Sequence, residues 1–301
     1  MECPRKYFYK YMLGWKRKSG NIHLDFGSAI HLALEHFNNL RKNNGRGYRL
    51  TDQDIADAVR IFRMSYRENH PAYDDKYVKP KDYETGKDAI ICYAEEYDFE
   101  DGKEELLYTE TTGAVAVDEN ILMHYKCDII TKDDRGIFPR DYKTSQRMSD
   151  LWSMDFVLRI QMGTYIHAVR CTFPDQVDHV WGMEVRGIFL YKAMSSDRKY
   201  GNIDFKNVAV RKSSSDMEVW RQTVIAWTDA LRNDMDDLEY CDAEQPTMVA
   251  FPMNPTSCTN YGGCPFHDFC SVWPNPLSRV EKPPMDFEVN FWDPRKQQDN
   301  Y

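Results

Sequence analysis

Three thiols and a pair of carboxylates are the residues of this chain best spaced to do chemistry. The segment SCTNYGGCPFHDFC sets Cys258, Cys264 and Cys270 at two equal intervals, with five residues between each. A tetrahedral metal site or a cubane cluster needs four ligands, so the segment is one short. The second candidate is MHYKCDIITKDDRGIFPRDYKTS. Met123, Tyr125, Cys127 and Ile129 alternate with His124, Lys126 and Asp128, the period of a strand with one apolar and one polar face. TKDDRG is a turn sequence, and the returning strand carries Asp141 and Lys143 two residues apart, on one face. Folded as a hairpin, the segment brings Asp128, Asp141 and Lys143 to one spot. Two carboxylates there would hold a hard divalent ion such as Mg²⁺. A lysine beside them can orient or help deprotonate water and offset charge on a phosphate, which is what metal-assisted phosphodiester hydrolysis requires. A lone D-x-K on a strand is more often a solvated ion pair, so the pattern gains meaning from its company.

That company is His31, Gln161 and Tyr165. His31 lies four residues before Glu35, on the same face of a helical stretch. Gln161 and Tyr165 share a helix face eighteen residues after Lys143. Taken singly, a structural histidine, and ordinary surface polarity with a half-buried aromatic ring, are the better explanations.

The elements that must position these groups can be read from periodicity. Pro4 and Gly14 bracket a helix over 4–13, and apolar residues at 26, 30, 34 and 37 mark one face of a second. Helical patterns continue over 52–68 and 83–98, separated by a loop. Strand-like sequence fills 106–145, helix 150–171, strands 179–192 and 203–211, and a long helix 216–240. This order predicts an α/β core with a helical insertion ahead of it. The tail RVEKPPMDFEVNFWDPRKQQDNY is punctuated by proline and predicts an extended segment over 279–301.

Bulk properties narrow the function classes. With 301 residues, 42% hydrophobic and 29% charged, the chain is an ordinary globular protein able to bury a core. No apolar run approaches the ~18–20 residues of a membrane span, and the N-terminus lacks the apolar stretch of a signal peptide, so a cytoplasmic protein is expected. Eight cysteines in that compartment suggest metal ligands or buried thiols rather than disulfides, with Cys92, Cys127, Cys171 and Cys241 expected in the core. No G-x-x-x-x-G-K-[ST] phosphate loop occurs, which excludes an attached ATP motor of that kind. Net charge is −9, yet residues 1–18 carry a local +5, leaving −14 elsewhere. Arg5, Lys6 and Lys10 interleave there with Tyr7, Phe8, Tyr9 and Tyr11. Most of these rings are expected to pack inward, with the cations free to contact nucleic-acid phosphates.

In order and spacing, CPRKYFYKY, GSAIH, CDII, DYKT, QMGTY and CTNYGGCPFHDFC together resemble the RecB-type branch of the PD-(D/E)XK nuclease superfamily. The pattern is most similar to its iron–sulfur members: CRISPR adaptation exonucleases, AddB-type nuclease domains and phage-encoded exonucleases. The resemblance implies a restriction-endonuclease-like α/β core, a central mixed sheet flanked by helices, within one nuclease domain over 1–278. That domain would comprise a helical insertion at about 32–100, a catalytic core at 101–240 and a cluster region at 241–278 plus Cys3. It also implies that Cys3 supplies the missing thiolate, joining Cys258, Cys264 and Cys270 around a [4Fe–4S] cluster that staples the ends of the domain. The residues themselves leave structural Zn²⁺ open, with His267 able to replace a thiol, although zinc sites usually show close C-x₂₋₄-C pairs.

Carried over residue by residue, the resemblance makes His31, Asp128, Asp141 and the backbone carbonyl of Tyr142 ligands of Mg²⁺ or Mn²⁺, and Lys143 the catalytic lysine. Gln161 and Tyr165 match a Q-x-x-x-Y element that positions the substrate or the lysine, and Glu110 corresponds loosely to an acidic residue of the preceding strand. The implied activity is a deoxyribonuclease, an exonuclease on single-stranded or frayed ends, in phage recombination, DNA repair or CRISPR adaptation with a partner protein. A structure-selective endonuclease, and a non-catalytic nucleic-acid or partner-binding module with a structural metal site, are the alternatives. Two features depart from the family pattern. Cys3 follows only Met1 and Glu2 where relatives carry a helical lead, so the staple is frayed there or the start lies too late. Pro139 precedes Asp141 and removes a backbone donor, which places that strand near a sheet edge or kinks it.

Overall fold

A computed structural model describes residues 2–259, 263–291 and 293. In chain order come α1 (Pro4–Tyr7), a π-helical turn (Phe8–Met12), β1 (Trp15–Arg17), α2 (Ile22–Asn44), α3 (Asp52–Asn69), α4 (Asp75–Val78) and α5 (Tyr83–Asp101). There follow β2 (Glu105–Ala116), β3 (Leu122–Asp133), β4 (Gly136–Ser145), α6 (Asp150–Leu158), α7 (Ile160–Thr172), β5 (Met183–Leu190) and β6 (Ile203–Val210). The chain closes with α8 (Ser214–Leu238), α9 (His267–Val272) and β7 (Phe287–Val289). It divides into two compact units, Asn21–Trp220 and a second assembled from Met1–Gly20 with Arg221–Pro294.

The Asn21–Trp220 unit is built on a five-stranded mixed sheet in the order β2-β3-β4-β5-β6. Only β4 and β5 run parallel, which requires the crossover that α6 and α7 supply. The other neighbours are antiparallel. Helix starts follow their caps: Thr51 and Asp54 form a capping box at α3, Asp82 caps α5 and Ser149 caps α6. Phe26, Ile30, Phe37, Phe62, Tyr66 and Tyr93 pack with Tyr142 and Ile188 of the sheet. A separate cluster joins Met162, Tyr165 and Ile166 of α7 to Cys127, Ile130, Val185 and Val210 of the strands.

Three expectations need correcting here. The helix expected over 150–171 is two, because Arg159 adopts an extended backbone that ends α6 and starts α7. The loop before α5 holds a 3₁₀ turn at Ala72–Asp74 and the short α4. Pro139 lies in the third of the five strands rather than at an edge. The sheet tolerates it because regular parallel pairing with β5 begins one residue later, at Arg140↔Glu184. The hairpin turn itself depends on Gly136, whose φ is 125° and where a Cβ would meet His179 O at 2.1 Å.

In the other unit Phe8, Tyr9, Trp15, Phe251, Phe266 and Phe287 form the core, so most of the N-terminal rings do pack inward. The helix expected over 4–13 is one α-turn followed by the π-turn. The tail, expected to be merely extended, contributes β7, which pairs antiparallel with β1 through Trp15↔Val289 and Arg17↔Phe287. Residues 292 and 294–301 of that tail lie outside the described residues, as do 260–262 between the cysteines. Among the described residues, no helix is long and apolar enough to cross a membrane. Of the four cysteines expected in the core, Cys127 is buried, Cys92 and Cys241 are half-buried and Cys171 is exposed.

Candidate active site and four-cysteine centre

Three acidic residues stand in one row across three strands. The pairs Thr109↔Ile129 and Thr111↔Cys127 set Glu110 of β2 beside Asp128 of β3. The pair Ile129↔Arg140 sets Asp128 beside Asp141 of β4. His31 reaches the row from α2, with Nδ1 3.2 Å from Asp128 Oδ1. The N–H of Tyr142 donates to Asp128 Oδ2 at 2.7 Å. Lys143 Nζ lies 2.6 Å from Asp141 Oδ2, and Lys126 Nζ lies 2.6 Å from Glu110 Oε2. The structure therefore brings together His31, Asp128, Asp141 and Lys143, and adds Glu110 as a full member. For Tyr142, the group engaged with the row is its N–H.

Burial and charge pull these groups apart in acidity. Burial would raise the Asp128 pKa, but His31 and Lys143 outweigh it and hold the carboxyl below its usual range. Burial and the charge of Asp128 push Asp141 up despite Lys143. His31 and Lys143 are both held above their ordinary values, because the adjoining carboxylates outweigh desolvation. Glu110 is raised to about 7 by burial and by Asp128, against the opposing pull of Lys126.

Among the described residues, no three His, Cys, Asp or Glu side chains are already closed into a metal-holding group. Each acidic residue is instead engaged by its own cationic or donor partner. Even so, the donor set suits a hard divalent ion. Glu110 Oε2 and Asp141 Oδ2 are fully buried, and each accepts from a single ammonium group, that of Lys126 and of Lys143, at 2.6 Å. Buried carboxylate oxygens balanced only by flexible ammonium groups keep lone pairs that an oxygen-seeking cation can take up.

Gln161 and Tyr165 act through β3. Gln161 Nε2 donates to the Tyr165 hydroxyl at 2.8 Å, and that hydroxyl donates to the Lys126 carbonyl. The pair thus pins the strand two residues before Asp128, at the lysine that faces Glu110. It is the restart of the helix at Ile160 that puts Gln161 in a first turn, one helical turn from Tyr165.

Glu110 was only loosely indicated by sequence, since nothing in LLYTETTG fixes its register. Its backbone carries the stronger mark: φ is +46°, strained for a side chain of this size. Because its folded pKa is raised, Glu110 contributes stability that is present below about pH 4.5 and lost as pH rises through about 7. Glu110→Gln should therefore stabilise the chelator-treated protein by roughly 1–3 kcal/mol at pH 8 and by little at pH 4. Equal melting shifts at the two pH values would mean that its ionisation carries no such cost.

The four cysteines meet in the other unit. Cys3, Cys258, Cys264 and Cys270, none in a disulfide, line one cavity of about 190 Å³ together with Lys6 and His267. The N–H of Asn254 donates to Cys3 Sγ at 3.3 Å, and the N–H of Cys264 to the Cys258 carbonyl at 2.8 Å. Burial and the neighbouring thiols push Cys270 up to about 11, with Arg5 opposing. The donor set fits a thiophilic metal centre, although no such group is closed among the described residues. Residues 15–17 and 287–289 are already joined in the same unit by β1–β7 pairing, and the aromatic core draws on both regions.

The three basic residues expected at DNA separate. Arg5 is a correction: it is 2% exposed, donating from Nε to the Phe251 carbonyl at 2.9 Å and from Nη2 to the Met248 carbonyl at 3.1 Å. Buried and turned toward backbone carbonyls, it presents no surface charge. Lys6 is half-buried and paired with Glu2 at 2.6 Å, while Lys10 is exposed beside Tyr11.

A family model described as the PD-(D/E)XK nuclease superfamily matches residues 1–271. No curated protein matches the chain.

Proposed function

The chain belongs to the PD-(D/E)XK nuclease superfamily, and from that membership we propose a Mg²⁺- or Mn²⁺-dependent deoxyribonuclease that trims single-stranded or frayed DNA ends. The observation that carries the reading is the row Glu110–Asp128–Asp141, with Lys143 at one end and His31 above it. His31, Asp128, Asp141 and Glu110 would hold a divalent ion, which when bound would supply charge to the scissile phosphate and ease deprotonation of the attacking water. Lys143 keeps 29% of its side chain exposed and is held as an ammonium by Asp141, so it donates to a phosphate oxygen on which negative charge grows. Tyr165, braced by Gln161, holds β3 and with it the separation of Asp128 from Glu110. Exonucleolytic action rests on the order of motifs shared with the RecB-type branch. So does assignment of the four cysteines to a [4Fe–4S] cluster rather than zinc, and of the protein to cytoplasmic DNA recombination, repair or adaptation with a partner.

End-labelled single-stranded and duplex DNA, incubated with Mn²⁺ or Mg²⁺ and anaerobically purified protein, tests this. Stepwise shortening from free ends, blocked on circular DNA, is the expected result. Internal cuts on circular DNA would instead identify an endonuclease. A folded, metal-supplied protein that leaves every DNA intact would overturn the proposed activity.

A further inference from the structure

The four-cysteine cavity is backed by a buried cation with no carboxylate partner in hydrogen-bonding reach. Arg5 is 2% exposed, and its two hydrogen bonds to backbone go to carbonyls, leaving Nη1 buried with neither a carbonyl nor a carboxylate to accept from it. It makes no ion pair among the described residues. Asp234, whose carboxylate feels its charge, spends an oxygen on the Phe251 N–H at 2.9 Å. Tyr9 is fully buried; Arg5 is placed to donate to its hydroxyl oxygen, while the hydroxyl's own hydrogen has no acceptor. The Tyr9 ring stacks on Phe266, a lining residue of the cavity, at 5.1 Å, and Cys264 and Cys270 pack against the same cluster, so Arg5, Tyr9 and the thiols share one neighbourhood. A guanidinium buried without an anion is costly, and a buried hydroxyl without an acceptor costs about 1–3 kcal/mol. Two such groups beside one sulfur-lined cavity are accounted for together when the cavity holds a negatively charged centre.

We propose that Arg5 and Tyr9 are the positioning residues of a four-thiolate metal centre, Arg5 as its buried counter-charge and Tyr9 as a hydroxyl donor toward the sulfur of Cys270. This rests on the reading of Cys3, Cys258, Cys264 and Cys270 as ligands, but not on which metal they hold. Four thiolates around a divalent ion or a cubane leave net negative charge, which Arg5 offsets inside a low-dielectric shell. Lys6, on the solvent side and already paired with Glu2, is the weaker contributor.

The test uses the chelator-stripped full chain titrated with cobalt(II), read by its sulfur-to-cobalt charge-transfer band in competition with a chelator. Arg5→Gln should weaken binding at least tenfold and Tyr9→Phe a few-fold, while Arg5→Lys, which keeps the charge, stays within about threefold of the parent. If Arg5→Gln does not fold, Tyr9→Phe and Arg5→Lys still carry the comparison. In protein purified with iron, loss of the cation disfavours the more negative reduced state. The midpoint potential of the Arg5→Gln variant should then fall by about 59 mV for a tenfold shift in a one-electron couple. Parent-like cobalt affinity and potential in folded Arg5→Gln and Tyr9→Phe would overturn the proposal while leaving the cysteine centre standing. A parent that binds neither cobalt nor iron overturns both.

Discussion

Lys143→Ala should lower DNA cleavage about a thousandfold while DNA binding stays within a few-fold of the parent. The side chain is close to the row of carboxylates yet partly open, with its ammonium 2.6 Å from Asp141 Oδ2. It is therefore the cation positioned both to neutralise the buried carboxylate and to meet an incoming phosphate. A charge acting on the developing transition state lowers turnover when removed, whereas a charge that only attracts the DNA backbone changes affinity and its salt dependence. The split between cleavage and binding separates these roles. Lys143→Arg should not restore the rate, because a planar fork on a longer stem places its charge elsewhere. Gel-shift affinity and single-turnover cleavage, measured on the same end-labelled strand, give both quantities. A variant that cuts at the parent rate would remove this row from the chemistry.

The site was more legible than the scaffold that aligns it. The hairpin MHYKCDIITKDDRGIFPRDYKTS declared its register, because alternation fixes which residues share a face and the turn fixes which residues oppose. That is why Asp128, Asp141 and Lys143 meet as expected. Glu110 was indistinct for the opposite reason: β2 joins the sheet through a twelve-residue strand whose polar run TETT alternates nothing. Its partner is chosen by β3, not by a local turn. The break at Arg159 was invisible because residues on both sides of it favour helix, and only its extended backbone marks the boundary. Arg5 misled because a cation among aromatic residues looks like a solvent-facing phosphate contact. Only the fold reveals the carbonyls of Met248 and Phe251, more than two hundred residues away, that draw it inward. The same holds for the buried ionic network beneath β4, whose members are scattered from Arg41 to Arg186.

That network should make Asp101 the most stability-sensitive carboxylate of the Asn21–Trp220 unit. Its oxygens receive Arg186 Nη1 at 2.8 and 3.0 Å, Arg41 Nη1 at 3.2 Å, Arg140 Nη1 at 3.4 Å and the Tyr93 hydroxyl at 3.1 Å. Glu184 and Glu104 each bind Arg140 at 2.6 Å, so the arginines depend on several anions, with Asp101 shared among all three. A wider cavity of about 900 Å³ opens onto Arg140, Glu184 and Arg186 and contains none of the proposed catalytic residues, so the network is scaffold rather than site. It nevertheless fixes Arg140, the residue immediately before Asp141, and thereby the start of the stretch that carries Asp141 and Lys143. Asp101→Asn leaves three buried guanidinium groups short of one charge and should cost about 3–5 kcal/mol. Burial alone would raise the Asp101 pKa, but Arg186, Arg140 and Arg41 hold it well below the usual carboxylate range. Its stabilisation is accordingly full above about pH 4 and fades as pH falls through the acid range. The melting difference between parent and Asp101→Asn should thus be largest near neutrality and shrink toward pH 2–3. A difference that stayed constant from pH 7 to pH 3 would assign the loss to packing and hydrogen bonding instead of charge. Cleavage by the surviving folded fraction distinguishes a network that merely holds the fold together from one that also aims Lys143, since only the second predicts a slower rate per folded molecule.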